Sequence, residues 1–204
     1  IGAFSTLGMV LYGVPWPLIL LFVLMIGALA GMTIQTLVFR PIIGAPQVTG
    51  FIATLAVSIV IQNTTLMILS GQPRNFLFPA QMRQRISFGG VSASLTDLVI
   101  IGLTLALIAL LFVVVYRTRL GRAMRATAEN LMAARLMGIA VNRTILAAFA
   151  IGSALAAVAG LLWGGKFGQI DPLLGFEPGL KAFIACVIGG VGSIGGAMLG
   201  GYIL

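Results

Sequence analysis

Five long runs without a charged residue constrain this chain more than any other feature. The runs cover residues 1–39, 41–73, 98–116, 144–165 and 182–204. About 20 helical residues cross the roughly 30 Å hydrocarbon core of a bilayer, and several of the runs are long enough to do so. A soluble domain carries about 25% charged residues, whereas only 8% of this chain is charged. The sequence therefore predicts an all-α, polytopic transmembrane helical bundle in a lipid bilayer.

Four membrane-spanning helices are predicted within these runs. They lie at residues 17–39, 51–70, 98–116 and 144–163. Residues 1–12 resemble the end of an earlier element, and the segment 71–97 favours a short hairpin through Ile86 and Phe88. The chain starts at a residue other than Met and stops inside an apolar run. We therefore expect residues 1–204 to form a single transmembrane domain, with both ends of a longer protein missing.

The positive charge is concentrated in one loop. Residues 117–143 contain six arginines and one glutamate, a net charge of +5, and the whole chain carries +8. Short loops rich in Lys and Arg stay on the cytoplasmic side of a membrane, so loop 117–143 is predicted to be cytoplasmic. The cluster has no aromatic platform and is flanked by predicted spans, which argues against nucleic acid as a partner.

Within this loop, the spacing of apolar residues predicts one amphipathic helix at residues 118–137, which is expected to end at Gly138. Arg125 and Glu129 are four residues apart and can form an ion pair. One interpretation is a solvated helix that binds anionic lipid head groups. The other is a docking helix for a cytoplasmic partner, because small residues near its end allow a close approach. The candidate docking residues are Arg122, Arg125, Glu129, Ala133, Ala134 and Gly138.

A polar stripe runs along the second predicted span. Thr54, Ser58 and Gln62 are spaced by four residues, which places them on one helix face. Polar side chains inside a span usually face the bundle interior or a cavity. They are therefore candidates for lining a translocation pathway or a subunit seam. The alternative is interhelical hydrogen bonding, which contributes roughly 0.6–2 kcal/mol per contact.

The last apolar run contains seven glycines within 13 residues. Each glycine in a helix interior costs about 1 kcal/mol relative to alanine. We therefore predict a short helix from about residue 179, a break at 189–196 and a second helix after it. Broken helices at membrane depth often line a cavity, which makes Gly189, Gly190 and Gly192 further pathway candidates. Close backbone packing between helices is the alternative.

The sequence offers little material for catalysis. It has no His, one Cys and four acidic residues, so metal sites and nucleophile–base pairs are not expected. It also lacks the Gly-x-x-x-x-Gly-Lys-Ser/Thr loop that cradles nucleotide phosphates. We predict a chain that is not an enzyme, holds no metal and binds no cofactor of its own.

Several sequence blocks resemble the permease subunits of branched-chain amino acid ABC importers. The blocks are residues 39–41, 118–123, 133–139, 168–176, 181–183 and 189–197. They follow the order of that family over nearly the whole chain, and they resemble the first-type permease more than its paired second subunit. Permeases for urea and short amides are related and share these motifs.

The resemblance implies a transporter with several partners. These would be a second permease subunit, two cytoplasmic ATPase subunits that bind ATP and Mg²⁺, and a periplasmic substrate-binding protein. ABC permeases dock to the ATPase through a short helix marked Glu-Ala-Ala, three residues, then Gly. Here Ala133, Ala134 and Gly138 match that pattern, whereas Met132 replaces the acid and the usual Ile-x-Leu-Pro ending is absent.

The function implied by the resemblance is translocation of branched-chain or other hydrophobic amino acids across the bacterial inner membrane. A urea or short-amide permease is the alternative within the family. A stand-alone channel or secondary carrier is the alternative outside it. Such carriers often place an ionisable residue inside a span, but here all four acids lie in or beside predicted loops.

Overall fold

Helices account for most of the chain. The computed structural model describes residues 2–11, 16–44, 47–69, 72–75, 85–88, 91–171, 173–190 and 192–204. The helices are α1 (Gly2–Leu11), α2 (Trp16–Ile34), α3 (Gln47–Leu69), α4 (Leu95–Arg117), α5 (Arg119–Glu129), α6 (Leu131–Leu136), α7 (Val141–Phe167), α8 (Phe176–Gly189) and α9 (Ile194–Ile203). The strands are β1 (Arg74–Asn75), β2 (Arg85–Phe88), β3 (Val91–Ser94) and β4 (Gln169–Ile170).

Among the residues that the structure describes, three helical segments are long and apolar enough to cross a membrane. They are Leu18–Ile42, Leu95–Arg117 and Val141–Phe167. Helix α3 has 23 residues, which corresponds to about 35 Å at 1.5 Å per residue, and its stretch Ile52–Ile68 is also apolar. These segments confirm the predicted all-α transmembrane bundle.

The centre of the bundle is the contact between α2 and α7. Ile19 and Val23 of α2 are buried against Ala157, Val158 and Leu161 of α7. Small residues bring the two helices together: a Cβ atom at Gly27 would lie 2.8 Å from the carbonyl oxygen of Ser153. Such small-residue contacts are typical of membrane helices, where close packing replaces the hydrophobic driving force. Helix α1 packs on the same part of α7.

Helix α2 changes geometry before it ends. Its α-helical part is followed by a π-helical turn at Gln35–Phe39 and a short 3-10 turn at Arg40–Ile42. Pro41 has no backbone N–H and therefore cannot continue the α-helical hydrogen bonds. The ring of Phe39 lies 4.7 Å from that of Phe149 in α7, measured between centroids.

A pair of strands and an ion pair lie at the end of the bundle opposite the Arg40 turn. β1 pairs with β4 in antiparallel register, with Arg74 opposite Ile170. The Nζ atom of Lys166, at the end of α7, lies 3.7 Å from the Oδ1 atom of Asp97, at the start of α4. The segments after α3 and after α7 therefore share one end, which we call the Asp97 end. The Arg40 turn and loop 117–143 lie at the other, the Arg40 end.

Two predicted local features are confirmed. β2 and β3 form the expected hairpin, with Phe88 opposite Val91. The glycine-rich run is broken as predicted, since α8 ends at Gly189 and α9 begins at Ile194. The first of these helices starts at Phe176, three residues before the predicted start.

The prediction of one helix at residues 118–137 is wrong. The chain breaks at Asn130, whose backbone is extended and whose Oδ1 accepts hydrogen bonds from the N–H groups of Met132 and Ala133. An Asn side chain that satisfies the first N–H groups of a helix starts a new one. The loop therefore holds two helices, α5 and α6.

Candidate functional site

A cavity of about 480 Å³ lies between α3 and the packed centre of the bundle. Its walls come from α3 on one side, from α1, α7 and the end of α2 on the other, and from residues 170–175. This volume is within the usual range of about 300–1,000 Å³ for small-molecule pockets. All three residues of the polar stripe, Thr54, Ser58 and Gln62, line this cavity.

Four of the six α3 residues that line the cavity are polar. Thr54 donates to the carbonyl of Gly50 at 2.8 Å, and Gln62 Nε2 donates to Ser58 Oγ at 3.3 Å. These partners lie on α3 itself, so the hydrogen bonds do not tie α3 to another helix. Gln62 carries two N–H donors and one carbonyl acceptor. One donor is used by Ser58, which leaves further hydrogen-bonding capacity facing the cavity.

The facing wall is mainly apolar. Phe4 of α1, Phe149 and Ala156 of α7, and Leu174 line it together with Ile170, which is fully buried. The hydroxyl and amide groups of the cavity are therefore concentrated on α3, beside Val57 and Ile61, and the facing side is mainly aromatic and aliphatic. A small solute with a polar end and an apolar end matches such a space.

Sequence reasoning missed Asp171, which also lines the cavity. Its carboxylate Oδ1 accepts a hydrogen bond of 2.8 Å from the N–H of Leu173. From the sequence alone, Asp171 is an acidic loop residue that follows a predicted membrane-spanning helix. Its place in the cavity depends on the pairing of β1 with β4. The spacing of polar and apolar residues along the sequence does not predict this pairing.

The predicted glycine candidates lie elsewhere. Gly189, Gly190 and Gly192 do not line the cavity of the polar stripe. A Cβ at Gly189 would overlap the backbone of Gly196, and Gly190 and Gly192 have φ values of +92° and +98°. Their local role is close packing of α8 on α9 and the turn between them. That they also line a pathway stays a prediction.

Helix α5 is fixed to the end of α4. Thr118 caps α5 by accepting a hydrogen bond of 3.1 Å from the N–H of Gly121. Arg125 donates to the carbonyl of Val115, and its guanidinium carbon lies 5.1 Å from the centre of the Tyr116 ring. The expected ion pair between Arg125 and Glu129 is not formed. The chain changes direction between α4 and α5, and this brings the side chain of Arg125 to the end of α4 instead.

Helix α6 presents a small apolar surface to the outside of the chain. Leu136 and Met137 are 82% and 81% exposed, and the chain turns at Gly138 with a φ of +77°. The α6 surface, as we call it, consists of the exposed residues Met132, Ala133, Leu136, Met137 and Gly138. Ala134, a predicted docking residue, is only 3% exposed, so it supports α6 from within. The predicted residues Arg122 and Glu129 are exposed on α5.

Known proteins similar to this chain are transport permeases. The family model described as the branched-chain amino acid transport system / permease component matches residues 1–204. The chain belongs to this permease family. The membership accounts for the long apolar helices, since a permease spans a membrane.

Two curated relatives share this permease's sequence over most of its length. It is 39% identical over 182 residues to the high-affinity branched-chain amino acid transport system permease protein BraD of Pseudomonas aeruginosa, covering 85% of this chain and 58% of that protein. It is 39% identical over 187 residues to LivH, a permease protein of the same description, from Escherichia coli K12, covering 89% and 60%. This permease chain thus spans about three fifths of the length of these relatives.

A sugar transporter is related as well. The permease is 44% identical over 108 residues to the xylose transport system permease protein XylH of Escherichia coli K12, covering 50% of this chain and 27% of that protein. The family therefore includes proteins named for different solutes. No solved structure matches the permease chain.

Proposed function

We propose that the chain is the membrane-spanning permease subunit of an ATP-driven importer for branched-chain or other hydrophobic amino acids in the bacterial inner membrane. The observation that carries the proposal is the cavity of the polar stripe, in a chain that a branched-chain amino acid permease model matches from end to end. The polar groups of the cavity would meet the charged end of an amino acid, and the apolar groups of α7 would meet its aliphatic side chain.

Import would proceed by alternating access. The α6 surface would receive one of two cytoplasmic ATPase subunits, which bind ATP and Mg²⁺ on their own residues. Movement of α6 would reach the spans through α5, which is joined to α4 by Arg125 and packs on α7. A periplasmic binding protein would deliver the solute at the Asp97 end, and the Arg40 end would face the cytoplasm. The chain itself would have no catalytic role.

A second permease subunit is part of the proposal because much of the apolar surface of α3 is not covered by other helices of this chain. Leu55 and Ile59, on the side of α3 away from the cavity, are 61% and 58% exposed. Exposed apolar residues on a membrane helix face lipid or another transmembrane subunit. A partner seated on this side of α3 would support the helix that forms one wall of the cavity.

The amide of Gln62 provides the direct test of the pathway. Gln62→Leu removes its hydrogen-bonding groups from the cavity, and we expect ATP-driven leucine uptake by the complete transporter to fall about tenfold. This rate is measured as the uptake of radiolabelled leucine into proteoliposomes that contain all subunits of the transporter.

Asn63→Leu is the matched control. Asn63 carries the same amide on the next residue of α3, is exposed, and donates to the carbonyl of Ile59 at 2.8 Å outside the cavity lining. We expect uptake near the wild-type rate from this variant. A Gln62→Leu transporter that keeps the wild-type rate and specificity would contradict the pathway role.

A further inference from the structure

Asp171 is placed at the cavity by a defined chain path. Helix α7 ends at Phe167, and Gly168 reverses the chain with a φ of +71°. β4 then pairs with β1, which buries Ile170 completely. The next residue is Asp171, which is half-buried and lines the end of the cavity beside Leu174 and Gly175.

Asp171 is also the one ionisable residue among the described residues that line the cavity. The ion pairs in the described part of the chain join Lys166 to Asp97 and Lys181 to Glu177. Neither of these two ion pairs involves Asp171, whose carboxylate lines the cavity. A carboxylate in a partly desolvated space favours a positively charged partner.

The orientation of the carboxylate is fixed from within the loop. Oδ1 accepts from the N–H of Leu173 at 2.8 Å, and the Asp171 carbonyl accepts from the N–H of Leu174 at 3.2 Å. One carboxylate oxygen therefore holds the turn, and a carboxylate can accept further hydrogen bonds on its second oxygen. A fixed acceptor of this kind suits a charge-assisted hydrogen bond to an ammonium group.

We propose that Asp171 binds the α-ammonium group of the solute in the cavity and makes this permease selective for amino acids over solutes of similar size that lack an ammonium group. The inference rests on the proposed amino acid import. The two other parts of the solute have partners in the same space: Ser58 and Gln62 offer donors to its carboxylate, and Phe149 and Leu174 contact its side chain.

The test is equilibrium binding of radiolabelled leucine to the complete transporter in nanodiscs, without the soluble binding protein. Isoamylamine, which keeps the ammonium group, and 4-methylpentanoate, which lacks it, serve as competitors. In wild type we expect isoamylamine to compete more strongly than 4-methylpentanoate. In Asp171→Asn we expect leucine affinity to fall about tenfold or more, and the preference for the amine to disappear.

Two variants separate charge from structure. Asp171→Asn keeps an oxygen acceptor for the Leu173 N–H, so a residue that only holds the turn would leave affinity and preference unchanged, which would overturn the proposal. Glu177→Gln is the matched control, because Glu177 is an exposed acid on α8 that pairs with Lys181 at 2.7 Å outside the cavity. We expect it to bind leucine like wild type.

The outcomes distinguish this inference from the function on which it rests. Absence of ATP-driven leucine import by the wild-type transporter with its binding protein would overturn the proposed function. Import together with unchanged binding in Asp171→Asn would overturn only the role of Asp171. Import by a wild-type transporter that shows no direct leucine binding would overturn the role of Asp171 as well.

Discussion

At the residue scale, single polar groups line the cavity and hold α5 against α4. Thr54, Ser58 and Gln62 could be placed on one face from their spacing alone, and the structure puts them in one cavity. Asp171 could not be found in this way, because its position follows from the pairing of β1 with β4. Helical spacing is a local property, whereas a loop residue reaches a cavity through tertiary contacts.

Arg125 gives a prediction at this scale. Its guanidinium group joins α5 to α4 through the Tyr116 ring and the Val115 carbonyl. A cation–π contact at an exposed site contributes about 0.5–1 kcal/mol. If this contact transmits movement, Arg125→Ala should lower leucine import about two- to fivefold while ATP hydrolysis by the complete transporter is maintained. Parallel assays of import and hydrolysis in proteoliposomes measure the ratio.

Arg119→Ala is the control for Arg125, since Arg119 is an exposed arginine of the same helix. Arg125→Lys should give an intermediate ratio, because Lys keeps the charge but lacks the planar group that stacks on a ring. Equal import-to-hydrolysis ratios in Arg125→Ala and Arg119→Ala would show that α5 does not act through this contact.

At the scale of elements, the sequence predicted the spans and the broken helix better than the Arg-rich loop. Charge-free runs define spans, and clustered glycines define a break, because both effects are local. The division of residues 118–137 at Asn130 escaped prediction, since an Asn can lie within a helix or cap one. The side chain of Asn130 caps α6 here, and this decides that Ala134 turns inward while Leu136 is exposed.

The glycine contact between α8 and α9 allows a stability prediction. A Cβ at Gly196 would overlap the carbonyl of Gly189, whereas a Cβ at Gly195 meets nothing within 4 Å. Overpacking of this kind costs about 1–3 kcal/mol. Gly196→Ala should therefore lower the free energy of unfolding by about that amount in an SDS titration of the purified protein. Gly195→Ala should stay close to wild type, and equal stability of the two variants would contradict the close packing of α8 on α9.

At the scale of the whole molecule, an uneven distribution of charge accompanies a cavity with polar groups on one side in an apolar bundle. Six of the twelve basic residues lie in loop 117–143, at the same end as the Arg40 turn. The opposite end carries the Lys166–Asp97 pair, the β1–β4 pairing and Asp171. The family relationship assigns the molecule to the permeases, and under the proposed function a solute would cross through the cavity. The chain is similar to both amino acid and xylose permeases, and we propose that Asp171 contributes to the choice between solutes.

The central claim is that this chain forms the route of an ATP-driven amino acid importer. Its most direct test is leucine uptake into proteoliposomes that contain the complete transporter and its binding protein, with either a wild-type or a hydrolysis-deficient ATPase subunit. We expect uptake that requires ATP and stops with the deficient ATPase. Leucine uptake that continues undiminished without a working ATPase would contradict the importer and would identify the chain as a channel or secondary carrier.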